Sequence, residues 1–257
     1  MVILGCGTSV GVPAIGCGCV VCQSGEAKNN RTRSSVIVGL PGGNLLIDTT
    51  PELRVQLIRE QIGLVHAVAY THDHADHIFG LDDLRLFPFS IGGPVPLYCQ
   101  TQVEARIRHS FDYAFNDGPE THQGSRPRLV FETLEEIEFE VLGTRVIPIP
   151  LHHGNTKVLG FRIGDVAYCT DVKEIPERSM RLLLGLDTLI IGALRYVPHP
   201  THYCIDEVIE VVNQLQPRQT YLTHMAHEID YSTAMRELPR GIEPAFDGLQ
   251  ISLSPFP

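Results

Sequence analysis

Apolar residues recur along the chain in short, nearly unbroken runs at residues 1–4, 35–40, 45–48, 67–71, 95–99, 144–151, 159–163, 166–170, 188–191, 220–223 and 250–253. Several lack polar alternation, which is the pattern of strands covered on both faces. Between many of them the apolar period lengthens to that of a helix. Ile205, Val208, Ile209, Val212 and Leu215 form one such stripe. Thr50 suits a helix N-cap, Pro51 the first helical position and Glu52 the positive end of the dipole; Leu53, Leu57 and Ile58 then give an apolar face. Further helices are expected at 102–115 and 177–184, and the polar, Gly- and Pro-containing stretch 116–128 reads as a surface loop. With no internal repeat or long linker, the pattern predicts an α/β fold in one layered domain over residues 1–257, its sheet buried between helices.

Charge and cysteine content narrow the function. The 257 residues carry 20 basic and 30 acidic side chains, a formal net charge of −10. That balance argues against a broad phosphate-binding surface for long nucleic acids, which needs a basic stripe. A small anionic substrate remains compatible, because bound divalent cations would dominate the local field. No run approaches the ~18 consecutive apolar residues of a membrane span, and the opening residues lack a basic segment followed by an apolar one, so the expected location is cytoplasmic. The seven cysteines are odd in number, and three of them, Cys17, Cys19 and Cys22, crowd together. A metal site in a reducing compartment fits this better than a disulfide framework.

Two constellations carry chemistry. The strand-like 68–71 runs straight into His72-Asp73-His74-Ala75-Asp76-His77. Neutral imidazole nitrogens and carboxylate oxygens are ligands for zinc, manganese or iron. Successive side chains leave a strand end on different sides, so one short turn can feed two ions. The second constellation is C-x-C-x₂-C at Cys17, Cys19 and Cys22, which can wrap one ion in a short loop.

H-x-H-x-D-H after an apolar strand, with Asp48 upstream, resembles the metallo-β-lactamase superfamily. The resemblance implies an αβ/βα sandwich, two mixed sheets packed face to face with helices outside. It also implies that His72, His74 and His153 hold one divalent ion and Asp76, His77 and His224 the other, with Asp171 bridging them and a hydroxide activated between. His153, Asp171 and His224 each end an apolar run, where α/β folds gather ligands. Asp48 is expected to support the ligand loop by hydrogen bonds. His152 and His153 point to opposite sides of a strand, so one of them is the ligand; the spacing from Pro150 in similar sequences favours His153, and a supporting role for His152 stays open. His66, His109, His122 and His199 match no ligand position and read as surface or packing residues; Cys6, Cys99, Cys169 and Cys204 read as core.

The cysteine cluster needs a fourth ligand near the catalytic ions but not among theirs, and His227, three residues after His224, fits a closed Cys₃His zinc site. With the amino-terminal Gly5-Cys-Gly-Thr8-Ser-Val-Gly11-Val-Pro13 and the carboxyl-terminal Leu-Thr-His-x-x-His, the chain is similar to the PhnP-like phosphodiesterases, whose founding member opens a cyclic ribose phosphate. That similarity implies a metal-dependent phosphoric diester hydrolase acting on a small phosphodiester, a cyclic ribose phosphate among the forms to test. It implies two catalytic ions (Zn or Mn, with Ni and Fe accepted by the same ligands), one structural Zn and room for a homodimer. Asp76 serves as ligand and catalytic residue, and His202, shortly before the helix leading to Leu-Thr-His, is the expected proton donor. The alternatives are a tRNase Z-like nuclease, another hydrolase of the superfamily acting on acyl carbons, and a metal-binding scaffold without catalysis.

Overall fold

The computed structural model describes residues 1–116, 122 and 124–253; the stretch 116–128 expected as a loop lies partly outside them. Two mixed sheets form the centre. The first has six strands in sequential order: β1 (Val2–Gly5), β2 (Ser35–Leu40), β3 (Gly43–Ile47), β4 (Ala67–Ala69), β5 (Val95–Cys99) and β6 (Leu129–Thr133). The second has seven: β7 (Phe139–Val141), β8 (Thr144–His153), β9 (Thr156–Ile163), β10 (Val166–Cys169), β11 (Thr188–Gly192), β12 (Gln219–Thr223) and β13 (Ile242–Pro244), again in sequential order. In each sheet an antiparallel part, β1–β3 or β7–β10, adjoins a parallel part, β3–β6 or β10–β13.

Burial explains why the strands read as unbroken apolar runs. Val36, Val38, Leu45, Ile47, Ala67 and Ala69 share a core with Val146, Ile149, Phe161, Ile163, Ala167 and Ile190 of the other sheet. The residues between them, Ile37, Leu46 and Val68, face a separate cluster with Leu53, Leu57, Leu81, Leu84, Val103 and Ile107. Period-two alternation is present, but both faces are dry, so both are apolar.

Helices cover the outside: α1 (Leu53–Arg59), α2 (Ala75–Ile78), α3 (Phe87–Ile91), α4 (Thr101–Ser110), α5 (Asp112–Phe115), α6 (Glu177–Leu182), α7 (Ile205–Leu215) and α8 (Tyr231–Glu237). Several expectations need correcting. α1 begins two residues late, because the Thr50 hydroxyl donates to Gln56 Oε1 at 3.0 Å rather than capping. Gln56, not Ile58, completes its buried face: Gln56 Nε2 donates to Thr32 Oγ1 and the Arg33 carbonyl, both at 2.9 Å. The expected helix 102–115 breaks at Phe111 (φ −124°, ψ 42°), whose ring turns onto Phe79. Residues 250–253 form only a single bridge, Val2 to Gln250. Strands β6, β7 and β13 and helices α2, α3 and α8 were not expected; β6 is a half-exposed edge strand and β13 carries a proline, so neither has a strong apolar signature.

Candidate metal centres

The site residues come from strand ends in both sheets. Asp48 follows β3, His72 lies three residues past β4, His153 ends β8, Asp171 lies two residues past β10, and His224 follows β12. Chains leaving adjacent strands diverge there, so their side chains converge on a crevice between the sheets. Asp48, Asp171 and His224 have left-handed backbones, with φ of 65°, 50° and 55°. Such conformations are uncommon for non-glycine residues and here turn the chain sharply off each strand. Asp76 and His77 project from α2, whose far end packs tightly: a Cβ on Gly80 would lie 1.9 Å from the Thr50 carbonyl oxygen. Only glycine lets the ligand segment close against residues 49 and 50.

Asp48 is the brace of this arrangement. It is fully buried and accepts from the Thr71 amide and hydroxyl, each at 2.8 Å, and from His77 Nδ1 at 2.7 Å. The Thr71 hydroxyl has spent its proton on Asp48, so it must accept from His72 Nδ1 at 2.9 Å. His153 Nδ1 donates to the Thr201 carbonyl at 2.7 Å. In His72, His77 and His153 the outer nitrogen is therefore the donor, and Nε2 presents its lone pair inward.

The inward atoms form two sets. Ligand atoms of His72, His74, His153 and Asp171 lie within 4.8 Å of one another, as do those of Asp76, His77, Asp171 and His224. Asp171 belongs to both. Its Oδ2 is 3.8 Å from His72 Nε2 and 4.0 Å from His153 Nε2, while its Oδ1 is 3.3 Å from His77 Nε2 and 3.2 Å from His224 Nε2. Each carboxylate oxygen thus faces a different imidazole set. The buried Nε2 atoms of His72, His77 and His224 make no hydrogen bond. Buried polar atoms without partners are costly, and a cation in each set satisfies all three. The donors, imidazole and carboxylate, suit zinc, manganese, iron or nickel.

Electrostatics agree. Burial alone would raise the Asp171 carboxyl, but His224, His77 and His72 hold it well below the usual range. Burial opposes charge on His77, yet Asp171, Asp76 and Asp48 raise its imidazole well above normal. The three carboxylates thus favour positive charge at this position. Burial, then the neighbouring His77, pushes His72 down, so its ring is neutral and ready to coordinate.

Cys17 and Cys19 sulfurs lie 3.2 and 3.3 Å from His227 Nδ1, and Cys22 completes the group. The Cys22 amide, then the His227 ring, draw the Cys19 thiol down to about 6, whereas burial raises the Cys22 thiol to about 11. One thiolate disfavours a second beside it until a cation arrives, so these residues also fit an ion. The amino-terminal segment ties this cluster to the catalytic one: Thr8 N donates to the Met225 carbonyl at 3.2 Å and Met225 N to the Cys6 carbonyl at 2.9 Å.

Every sequence-derived ligand candidate falls in one of these three groups. His152 turns away, half exposed, with Nδ1 3.4 Å from Glu174 Oε2. Cys6, Cys99, Cys169 and Cys204 are buried. His202 lies between the catalytic sets, its ring 4.4 Å from that of His153 and 4.8 Å from that of His224. Burial and then His224 push its imidazole down to about 3, so it is neutral in the resting site. Two residues were missed. His199, expected as a surface or packing residue, has its ring 5.3 Å from His202. Arg31, fully buried, donates to the carbonyls of Ala226 and Ile229 at 3.1 and 2.6 Å and to Asn29 Oδ1 at 3.1 Å, bracing the segment that carries His227. An arginine in a polar stretch gives no sequence signal of burial.

The family model described as the beta-lactamase superfamily domain matches residues 43–225, which span the whole catalytic constellation. The chain belongs to the metallo-β-lactamase superfamily. Within it the chain is PhnP-like: it is 41% identical to a crystallised diphosphatase of the PhnP family, with a TM-score of 0.92 over 99% of this chain and 97% of that one. Zinc-bound PqqB from Methylobacterium extorquens, 22% identical, shares the fold at a TM-score of 0.80 over 98% and 99% of the two chains. Among curated proteins, an octanoyltransferase of Porphyromonas gingivalis is 33% identical over 97% of this chain, which spans only 50% of that protein's length. The superfamily fold and the three ligand groups together fit a metal-binding centre. No helix among the described residues is long and apolar enough to cross a membrane.

Proposed function

We propose that this chain hydrolyses a P–O bond of a small phosphodiester with two divalent cations. His72, His74 and His153 would hold one, Asp76, His77 and His224 the other, and Asp171 both. The observation that carries the reading is Asp171, whose two oxygens face separate imidazole sets with unpartnered Nε2 atoms. Paired cations neutralise the non-bridging phosphoryl oxygens and acidify water, which is the chemistry a phosphodiester needs. The chain's own residues do the rest. Asp48 holds the His77 ring and the Thr71 turn in place, and Asp171 and Asp76 keep negative charge at the centre. His202 stands where it can protonate a leaving oxygen; an anionic substrate beside it stabilises its charged form.

The 41% identical neighbour is a diphosphatase, which supports phosphorus over acyl carbon as the electrophile. Octanoyl transfer by the longer Porphyromonas protein stays with that protein. The Cys17, Cys19, Cys22 and His227 group would hold a structural zinc, since four ligands leave no open position. A reducing cytoplasm suits its free thiols.

The test is a phosphodiester panel of cyclic ribose phosphates, cyclic nucleotides, diphosphate diesters and aryl diesters, with metal content measured on the same sample. The expected result is turnover of bis(p-nitrophenyl) phosphate faster than of p-nitrophenyl phosphate, because a monoester resembles the product. Faster monoester turnover, or activity confined to thioesters or β-lactams, overturns the reading.

A further inference from the structure

His74 is the exposed member of the seven residues assigned to the catalytic cations; His72, Asp76, His77, His153, Asp171 and His224 are buried. The centre is therefore open to solvent at His74. A cavity of about 350 Å³ lies directly beside His74, lined by Asp73, Ala75, Phe79, Arg106 and Ser110. Two of these side chains line the cavity with about half of their surface exposed. Phe79 is 52% exposed although it directly follows α2, and its ring is braced edge-on by Phe111 at 5.9 Å. Arg106, on α4, has a 56% exposed side chain and, among the described residues, a long contact from Nε to Asp73 Oδ2 at 3.4 Å. An exposed ion pair of that kind is weak, and a phosphate offering two oxygens to the guanidinium competes well with it.

We propose that this cavity is the subsite for the non-leaving arm of the substrate, and that it selects an arm bearing a flat ring and a second phosphate. Phe79 takes the ring and Arg106 the phosphate. The assignment rests on the phosphodiester reading of the centre. It follows from where the two flanks lie: His202 touches the rings of His153 and His224, whereas the cavity adjoins His74. In an in-line displacement, a water oxygen bonds to phosphorus while the bond to the leaving oxygen breaks. The electron pair departs with that oxygen, which takes up a proton, and the other ester arm stays on the product phosphate. With the leaving oxygen at His202 and the water opposite it, the retained arm takes one of the three lateral positions on phosphorus, and the subsite assigns it the one beside His74.

Two chromogenic substrates that release the same p-nitrophenolate isolate the claim: thymidine 5′-(p-nitrophenyl phosphate) and its 3′-phosphorylated form. They share the ring and the scissile bond and differ by the second phosphate. The metal-loaded parent should show a KM about tenfold lower or better for the 3′-phosphorylated form, the size of one charge-assisted contact. Arg106→Gln should bring the ratio of the two KM values close to one, and Arg106→Lys should keep part of it. Because Arg106 is on an exposed helix face, metal content and melting temperature of both variants should match the parent's. Equal KM values in the parent, or a ratio that survives Arg106→Gln, overturn the subsite while leaving the phosphodiester reading intact. A parent that turns over neither substrate, yet is fully loaded with metal, overturns the phosphodiester reading itself and the subsite with it.

Discussion

At the scale of single residues, the centre depends on carboxylates whose neighbours decide their work. Asp171 serves two ligand sets because its oxygens point apart; Asp48, equally buried, is consumed by three donors and holds rings instead of ions. The two should therefore fail differently. Asp171→Ala should cost the protein at least one catalytic ion while leaving one zinc per chain, read by elemental analysis. Asp48→Asn cannot hold His77 by the same charge-assisted bond, so it should keep its ions at saturation but bind them roughly 10–100-fold more weakly in a chelator competition. His202→Ala should retain all metals. Its rate on an alkyl or ribose diester should drop by ~10²–10⁴, and less on an aryl diester whose leaving group needs no proton. Equal loss on both substrates assigns His202 to binding instead.

At the scale of elements, the carboxyl-terminal ligand loop is held by the amino terminus. Residues 6–8 pair with Met225, Arg31 bonds the carbonyls of Ala226 and Ile229, and the three thiols meet His227. His224 and His227 thus sit on one short segment pinned from both sides. A closed metal shell contributes folding energy and offers no substrate position. Cys19→Ser should lose one zinc per chain and lower the melting temperature by several degrees. Its activity should decline through the unstable fraction rather than through KM. A variant that melts like the parent with all its zinc disproves the Cys₃His assignment.

At the scale of the molecule, two sheets with a common core hold their ligand-bearing strand ends against each other, so neither sheet carries a complete site. His72, His74, Asp76 and His77 hang from the first sheet, and His153, Asp171 and His224 from the second. Cations bridging the two should stabilise the whole: removing them with EDTA should abolish hydrolysis and lower the melting temperature. Re-adding cation at 100 times its Kd should restore about 2.7 kcal/mol per site. The formal charge of −10 applies at this scale too. Transfer RNA should pass through a filter-binding assay at low salt without being retained; retention would favour the nuclease alternative.

The sequence alone determined the α/β class, most of the strands and the donor-rich segments 17–22 and 72–77, because each is a local matter; His153, Asp171 and His224 were singled out through the superfamily resemblance. An apolar run marks a strand buried on both faces, and imidazole, carboxylate and thiol are recognisable donors wherever they fall. The weak edge strands β6 and β13 escaped because β6 is half exposed and β13 is three residues long and carries a proline. Helix 102–115 came out in two pieces because Phe111 answers to Phe79, a residue distant in sequence. Tertiary structure turned His153 inward, as the resemblance favoured, and it alone decided that His199 stands beside His202 and that Arg31 lies buried under the segment carrying His227. These are properties of approach between segments far apart in the chain, and no spacing within either segment encodes them.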